Sequence, residues 1–171
     1  MNATTSTKAK RNPKALLLDD DRTVLRLLGT ALEDRGFAVR AATDGDAGLS
    51  LLLDELLDLD VLVVDLELPA RDGWALLHLV RRAGGERDLG VVVLASGPER
   101  GVSDQLLALG ADMVVDRRAG HAVVAEAVSA VARRKERRAS RLPRAARPVV
   151  EGALLLARAA IAPPGLLPLP A

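Results

Sequence analysis

The sequence predicts a doubly wound α/β fold with a five-stranded parallel sheet, and three observations predict it. Short apolar runs without polar alternation recur along the chain, at Ala15 to Leu18, Val61 to Val64 and Val91 to Leu94, as in strands covered on both faces. Segments of helical periodicity separate them. Two of the runs end abruptly in acid, at Asp19-Asp20-Asp21 and at Asp65. Strands that alternate with helices require right-handed crossovers, and so a parallel sheet with helices on both faces.

Taken in order, residues 1–13 are small, polar and basic, close on Asn12-Pro13, and are expected to form a disordered basic arm. The first strand, Ala15 to Leu18, runs into the three acids and then into a helix with Val24, Leu27, Leu28, Ala31 and Leu32 on one face. Arg35-Gly36 stops it, with Gly36 as the cap. A second strand around Ala38 to Ala41 gives way to Asp44-Gly45 and a helix from Asp46 to Leu57. The third strand, Val61 to Val64, ends in Asp65. A carboxylate is costly inside a core, so Asp65 must emerge at the strand's carboxyl end, the edge at which open parallel sheets bind ligands.

Pro69 and Asp72-Gly73 mark a turn and a helix start, with Asp72 as its cap, and the helix buries Leu76, Leu77 and Val80 before Gly84-Gly85 ends it. Val91 to Leu94 is the fourth strand. A loop from Gly97 to Gly101, a short helix from Val102 to Leu109 and a fifth strand from Met113 to Val115 follow. The last helix starts near Gly120 and buries Val124, Ala127, Val128 and Val131, which gives a domain over residues 14–132.

With 171 residues, about half of them apolar, the chain has room for one such domain and terminal extensions. It has no cysteine, no signal pattern and no apolar run near the roughly 18 residues that span a bilayer, so a cytoplasmic protein without a membrane span is expected. Charge is unevenly spread. Residues 15–132 carry a net charge of −10, whereas residues 133–147 hold eight basic side chains against the single acid Glu136. Such a body is not expected to grip nucleic acid. Residues 133–171 read as a basic linker and an apolar, Pro-rich tail with no recognisable output domain. The basic part is either a solvated continuation of the last helix or a polyanion patch, and no specific DNA binding is expected of it.

If the first and third strands are neighbours, Asp19, Asp20 and Asp65 converge at one edge of the sheet. Crowded carboxylates repel one another, and a hard cation relieves them; magnesium suits oxygen ligands and recruits phosphate oxygens, so the cluster reads as a place where a phosphoryl group meets an aspartate. The plainer alternative is that Asp20 or Asp21 caps the first helix and Asp65 marks a strand end. His78 and His121 have no partner at ligand or triad spacing, Trp74 reads as a packing residue, and no Gly-rich nucleotide loop occurs.

Three stretches together carry a family resemblance: Leu16-Leu17-Leu18-Asp19-Asp20-Asp21, Asp65 through Gly73, and Leu109-Gly110-Ala111-Asp112. Over about residues 14–132 the chain resembles a receiver domain of bacterial two-component response regulators. The resemblance implies a flavodoxin-like (βα)5 topology, with Asp65 accepting a phosphoryl group from a sensor histidine kinase or phosphotransfer protein. It also implies Mg2+ bound by Asp20 directly, by Asp19 through water, by Asp65, and by the backbone carbonyl of Glu67. No enzymatic activity is expected beyond magnesium-dependent self-phosphorylation on Asp65. The expected role is that of a single-domain regulator or phosphorelay adaptor acting on a downstream protein.

The chain departs from the pattern at the residues that read the phosphoryl group. Ala95 stands where the family has Ser or Thr, Arg117-Arg118 where it has Lys-Pro, and Val114 where it has Tyr or Phe. Ser96 is one position late and should face the other way. The alternative to a phosphorylated regulator is therefore a phosphorylation-independent pseudo-receiver that acts as a protein-interaction module.

Overall fold

Strand and helix alternate five times: β1 (Lys14–Leu18), α1 (Arg22–Glu33), β2 (Ala38–Ala42), α2 (Gly45–Glu55), β3 (Val61–Asp65), α3 (Gly73–Gly84), β4 (Gly90–Ala95), α4 (Arg100–Ala108), β5 (Met113–Asp116) and α5 (His121–Arg141). A 3-10 turn, Arg117–Ala119, joins the last two. The computed structural model describes residues 11–55, 58–69, 73–84 and 89–141. The arm up to residue 10, the Asp72 cap, Gly85 and the tail beyond residue 141 lie outside the described residues.

All five strands are parallel, in the order β2-β1-β3-β4-β5. The chain leaves β1 toward β2 on one side and returns to β3 on the other, so the crossovers diverge at the carboxyl ends of β1 and β3 and leave a crevice there. Leu18 lies opposite Val64. One residue further along each strand, Asp19 and Asp65 are therefore neighbours.

Alternate residues of each apolar run face opposite layers, which is why the runs carry no polar positions. Leu16, Leu18, Leu62, Val64, Val91 and Val93 pack with Leu49, Leu52, Leu76, Leu77, Val80 and Leu106 from α2, α3 and α4. Ala15, Leu17, Val61, Val63, Val92 and Leu94 pack with Leu28, Leu32, Val124, Val128 and Val131 from α1 and α5. Each large side chain so enclosed contributes about 1.5–3 kcal/mol. Only β2, at the edge, leaves most of its residues exposed.

The apolar face expected for α1 is narrower in the structure. Leu28 and Leu32 are buried, Val24 and Ala31 are half-buried, and Leu27 is 36% exposed at the lip of a cleft between α1 and the start of α5. On α5 the fully buried alanine is Ala125, while the expected Ala127 is half-buried. Helix α4 begins two residues before the expected Val102, and α5 runs past residue 132 as far as Arg141. Lys135, beyond that expected boundary, places its Nζ 2.8 Å from Asp112 Oδ1.

Two local devices position the crevice. Asp21 caps α1 by accepting from the Thr23 and Val24 amides, so the cap is Asp21 and the exposed Asp20 stands beside it at the crevice. Gly73 opens α3 against the backbone of Asp65 and Leu66, and its amide donates to Leu66 O at 3.1 Å. A Cβ at this position would run into the Asp65 carbonyl, so glycine is what lets α3 start so near the strand end. Trp74 follows, half-buried against the core layer on that side of the sheet.

Candidate functional site

Three acids from two strand ends meet in the crevice. Asp19 and Asp65 are 2% and 1% exposed, Asp20 is open to solvent, and one carboxylate oxygen from each lies within 4.8 Å of the others. Asp19 Oδ1 accepts from the Asp21 amide at 2.9 Å. Its other oxygen, Oδ2, is buried without a hydrogen-bond partner among the described residues. Asp65 Oδ1 accepts a long 3.4 Å bond from the Glu67 amide, which brings residue 67 to the pocket wall.

The remaining contact comes from the far side of the sheet. Arg117 donates from Nη1 to Asp65 Oδ2 at 2.8 Å and from Nη2 to Asp19 Oδ1 at 3.1 Å, so one guanidinium bridges both buried acids. Burial nevertheless dominates the electrostatics. It pushes the Asp19 carboxyl up to about 6, against the Asp21 amide and Arg117, which both favour the charged form. Asp65 is raised for the same reason, with Arg117 again opposing.

The donor set fits a hard divalent cation. It consists of oxygens alone, carries more negative charge than Arg117 neutralises, and includes a buried oxygen with no partner among the described residues, which is a costly arrangement unless something else supplies the missing contact. Asp19, Asp20 and Asp65 stand together here, with Glu67 adjoining.

The positions at which the sequence departs from the family pattern also line this end of the sheet. Asp65 pairs with Leu94 in the sheet, so Ala95, buried at the end of β4, lies one step beyond Asp65 and presents a methyl group. Ser96 next to it is exposed. Val114 is half-buried against the core layer that contains α4. The two consecutive arginines part company: Arg117 turns into the pocket, while Arg118 forks onto Asp116, Nε to Oδ1 at 3.1 Å and Nη2 to Oδ2 at 2.9 Å, and lies over Gly97. His78 and His121 are both exposed, the latter at the cleft beside Arg117.

A family model described as the response regulator receiver domain matches residues 15–129. The chain belongs to that family. Among its relatives, this receiver is 37% identical over 73 residues to the transcriptional regulatory protein DltR of Streptococcus agalactiae, a match that covers 43% of this chain and 32% of DltR. It is 33% identical over 103 residues to the two-component response regulator ARR10 of Arabidopsis thaliana, covering 55% of this chain and 18% of that protein. The chain thus spans about a third of the first relative's length and under a fifth of the second's. Among solved structures, the Francisella response regulator 1452 receiver domain superposes with a TM-score of 0.64 at 26% identity, over 72% of this chain and 98% of that one. A Burkholderia pseudomallei response regulator, crystallised with a phosphorylated aspartic acid, a calcium ion and citrate, gives a TM-score of 0.61 at 25% identity over 77% and 76% of the two chains. The receiver has the flavodoxin-like (βα)5 fold of its family. Among the described residues no helix is long and apolar enough to cross a membrane.

Sequence reasoning missed the charged cluster around Asp112. Arg81 donates to Gly110 O at 2.8 Å, Leu89 O at 2.9 Å and Asp112 Oδ2 at 2.9 Å, and Asp112 also accepts from the Val91 amide and pairs with Lys135. Asp112 reads in the sequence as a loop residue. The one available hint was its place immediately before an apolar strand.

Proposed function

We propose that this receiver accepts a phosphoryl group on Asp65 from a histidine kinase or phosphotransfer protein and signals through protein contacts. The observation that carries the reading is the pair of buried carboxylates on adjacent strand ends, one of them with an oxygen that no described residue satisfies. A carboxylate oxygen of Asp65 attacks phosphorus, the P–O bond forms, the P–N bond of a donor phosphohistidine breaks, and the leaving imidazole takes up a proton. Asp19, Asp20 and the Glu67 carbonyl, together with Asp65, would hold Mg2+, which supplies charge neutralisation when bound. Arg117 is positioned to donate to phosphoryl oxygens on Asp65, since it already donates to the carboxylate they would occupy.

The named relatives are transcriptional or two-component regulators, and a regulatory role is carried over from them as part of the same proposal. A second reading, the phosphorylation-independent interaction module, is favoured by one observation: the buried methyl of Ala95 offers neither donor nor acceptor to a phosphoryl group. Incubation with magnesium and acetyl phosphate, read by intact mass, separates the two. Addition of one phosphoryl group, abolished in Asp65→Asn, is expected. An unmodified mass, or a modification that survives Asp65→Asn, would put the interaction module first.

A further inference from the structure

We infer that Arg117 acts as a resident cation of the acidic pocket, competing with the divalent metal for Asp19 and Asp65 and weakening the receiver's metal affinity. The inference rests on the magnesium reading above. Its ground is geometric. Nη1 and Nη2 reach two different carboxylates on two different strands, at 2.8 and 3.1 Å, so a single side chain cross-links the acids that a metal would otherwise draw together. A planar guanidinium spans such a pair, while an ammonium is a point charge that settles on one of them. The side chain is also anchored at its root. Arg117 opens the 3-10 turn, which Asp116 caps by accepting from the Arg118 amide at 2.9 Å, so the fork starts from a held position.

Charge accounting gives the direction. Three carboxylates and one guanidinium leave a net negative pocket that still attracts a divalent ion, but the ion meets a like charge a few ångströms away and finds an oxygen of each buried acid already bonded. Both effects oppose metal binding. In return, the pocket holds its shape without metal, since the guanidinium offsets part of the carboxylate repulsion in the folded state.

The test compares natural protein, Arg117→Lys and Arg117→Gln by magnesium titration calorimetry and by thermal denaturation in EDTA and in magnesium. The expected result is magnesium affinity at least about tenfold tighter in Arg117→Gln than in the natural protein, with Arg117→Lys between them. The Gln variant should melt below the natural protein in EDTA and recover most of that deficit in magnesium, because a ligand that binds only the folded state stabilises it. Adding Asp20→Ala to each background should remove the titration heat. Equal magnesium affinity in the natural and Gln proteins would overturn the resident-cation inference and leave the metal site standing. Absence of magnesium binding in all three would instead overturn the magnesium reading, and the inference with it.

Discussion

The ionic clusters around Asp112 and around Asp65 are built on opposite terms. Around Asp112, both carboxylate oxygens have partners: Oδ2 takes the Arg81 guanidinium and the Val91 amide, and Oδ1 takes Lys135. Base exceeds acid, and α3 and α5 are tied to the start of β4 and β5. Around Asp65, acid exceeds base, one buried oxygen has no partner among the described residues, and burial raises both buried carboxyls. A cluster that satisfies itself serves the fold, whereas one left short of positive charge is poised for something from outside.

The sharpest way to break this contrast is to remove the same chemical group from each side. Asp112→Ala takes the carboxylate from Lys135 and the Val91 amide and removes one of the three acceptors of Arg81, and should cost about 3 kcal/mol in urea unfolding. Asp19→Asn, measured in EDTA, should be neutral or stabilising. Similar losses at both sites would show that the pocket is as structural as the Asp112 cluster.

A smaller effect follows from titration. Asp19 has a folded-state value of about 6 against an ordinary 3.8, so the folded protein takes up the proton first and gains stability as pH falls through 6. Between pH 7 and 5 in EDTA, unfolding free energy should rise by about 1 kcal/mol. Asp21 and Asp116 are lowered by hydrogen bonds, chiefly from the Thr23 amide and the Arg118 side chain, so their contributions fade only below the ordinary carboxylate range. Asp19→Asn should flatten the rise, and an undiminished rise in that variant would assign it elsewhere.

The smallest expected effect concerns transmission. A modification shifts a conformational equilibrium only through contacts that differ between states, and Ala95 and Val114 offer few. Amide exchange at α4 and α5 should change little on phosphorylation of the natural protein and more in the Ala95→Thr, Arg117→Lys double variant. A large response in the natural protein would mean that Ser96 or Arg117 pulls on the phosphoryl group by another geometry.

What the sequence made legible was whatever depends on neighbours along the chain. Unalternated runs such as Val61 to Val64 announced buried strands, and the acids closing two of them announced the sheet edge. Leu27 misled because helical period tells which side faces the core, but not that α5 starts low enough at His121 to leave a cleft over that leucine. Arg117 was visible as a substitution at a family position. Its second bond, to Asp19 across a separation of 98 residues, was not. The Asp112 cluster was hidden for the same reason, since the Arg81 contact closes over 31 residues and nothing local marks it.

Gly73 has an optical consequence. By bringing α3 onto the Asp65 backbone it also brings Trp74, and the chain has one Trp and no Tyr. Intrinsic emission from this receiver is therefore dominated by a single source, half-buried and one residue from the helix start that touches the end of β3. Its colour and intensity report the polarity and charge around that helix start, so the proposed cation uptake and aspartate modification should register in the unlabelled natural protein, in real time and without a partner.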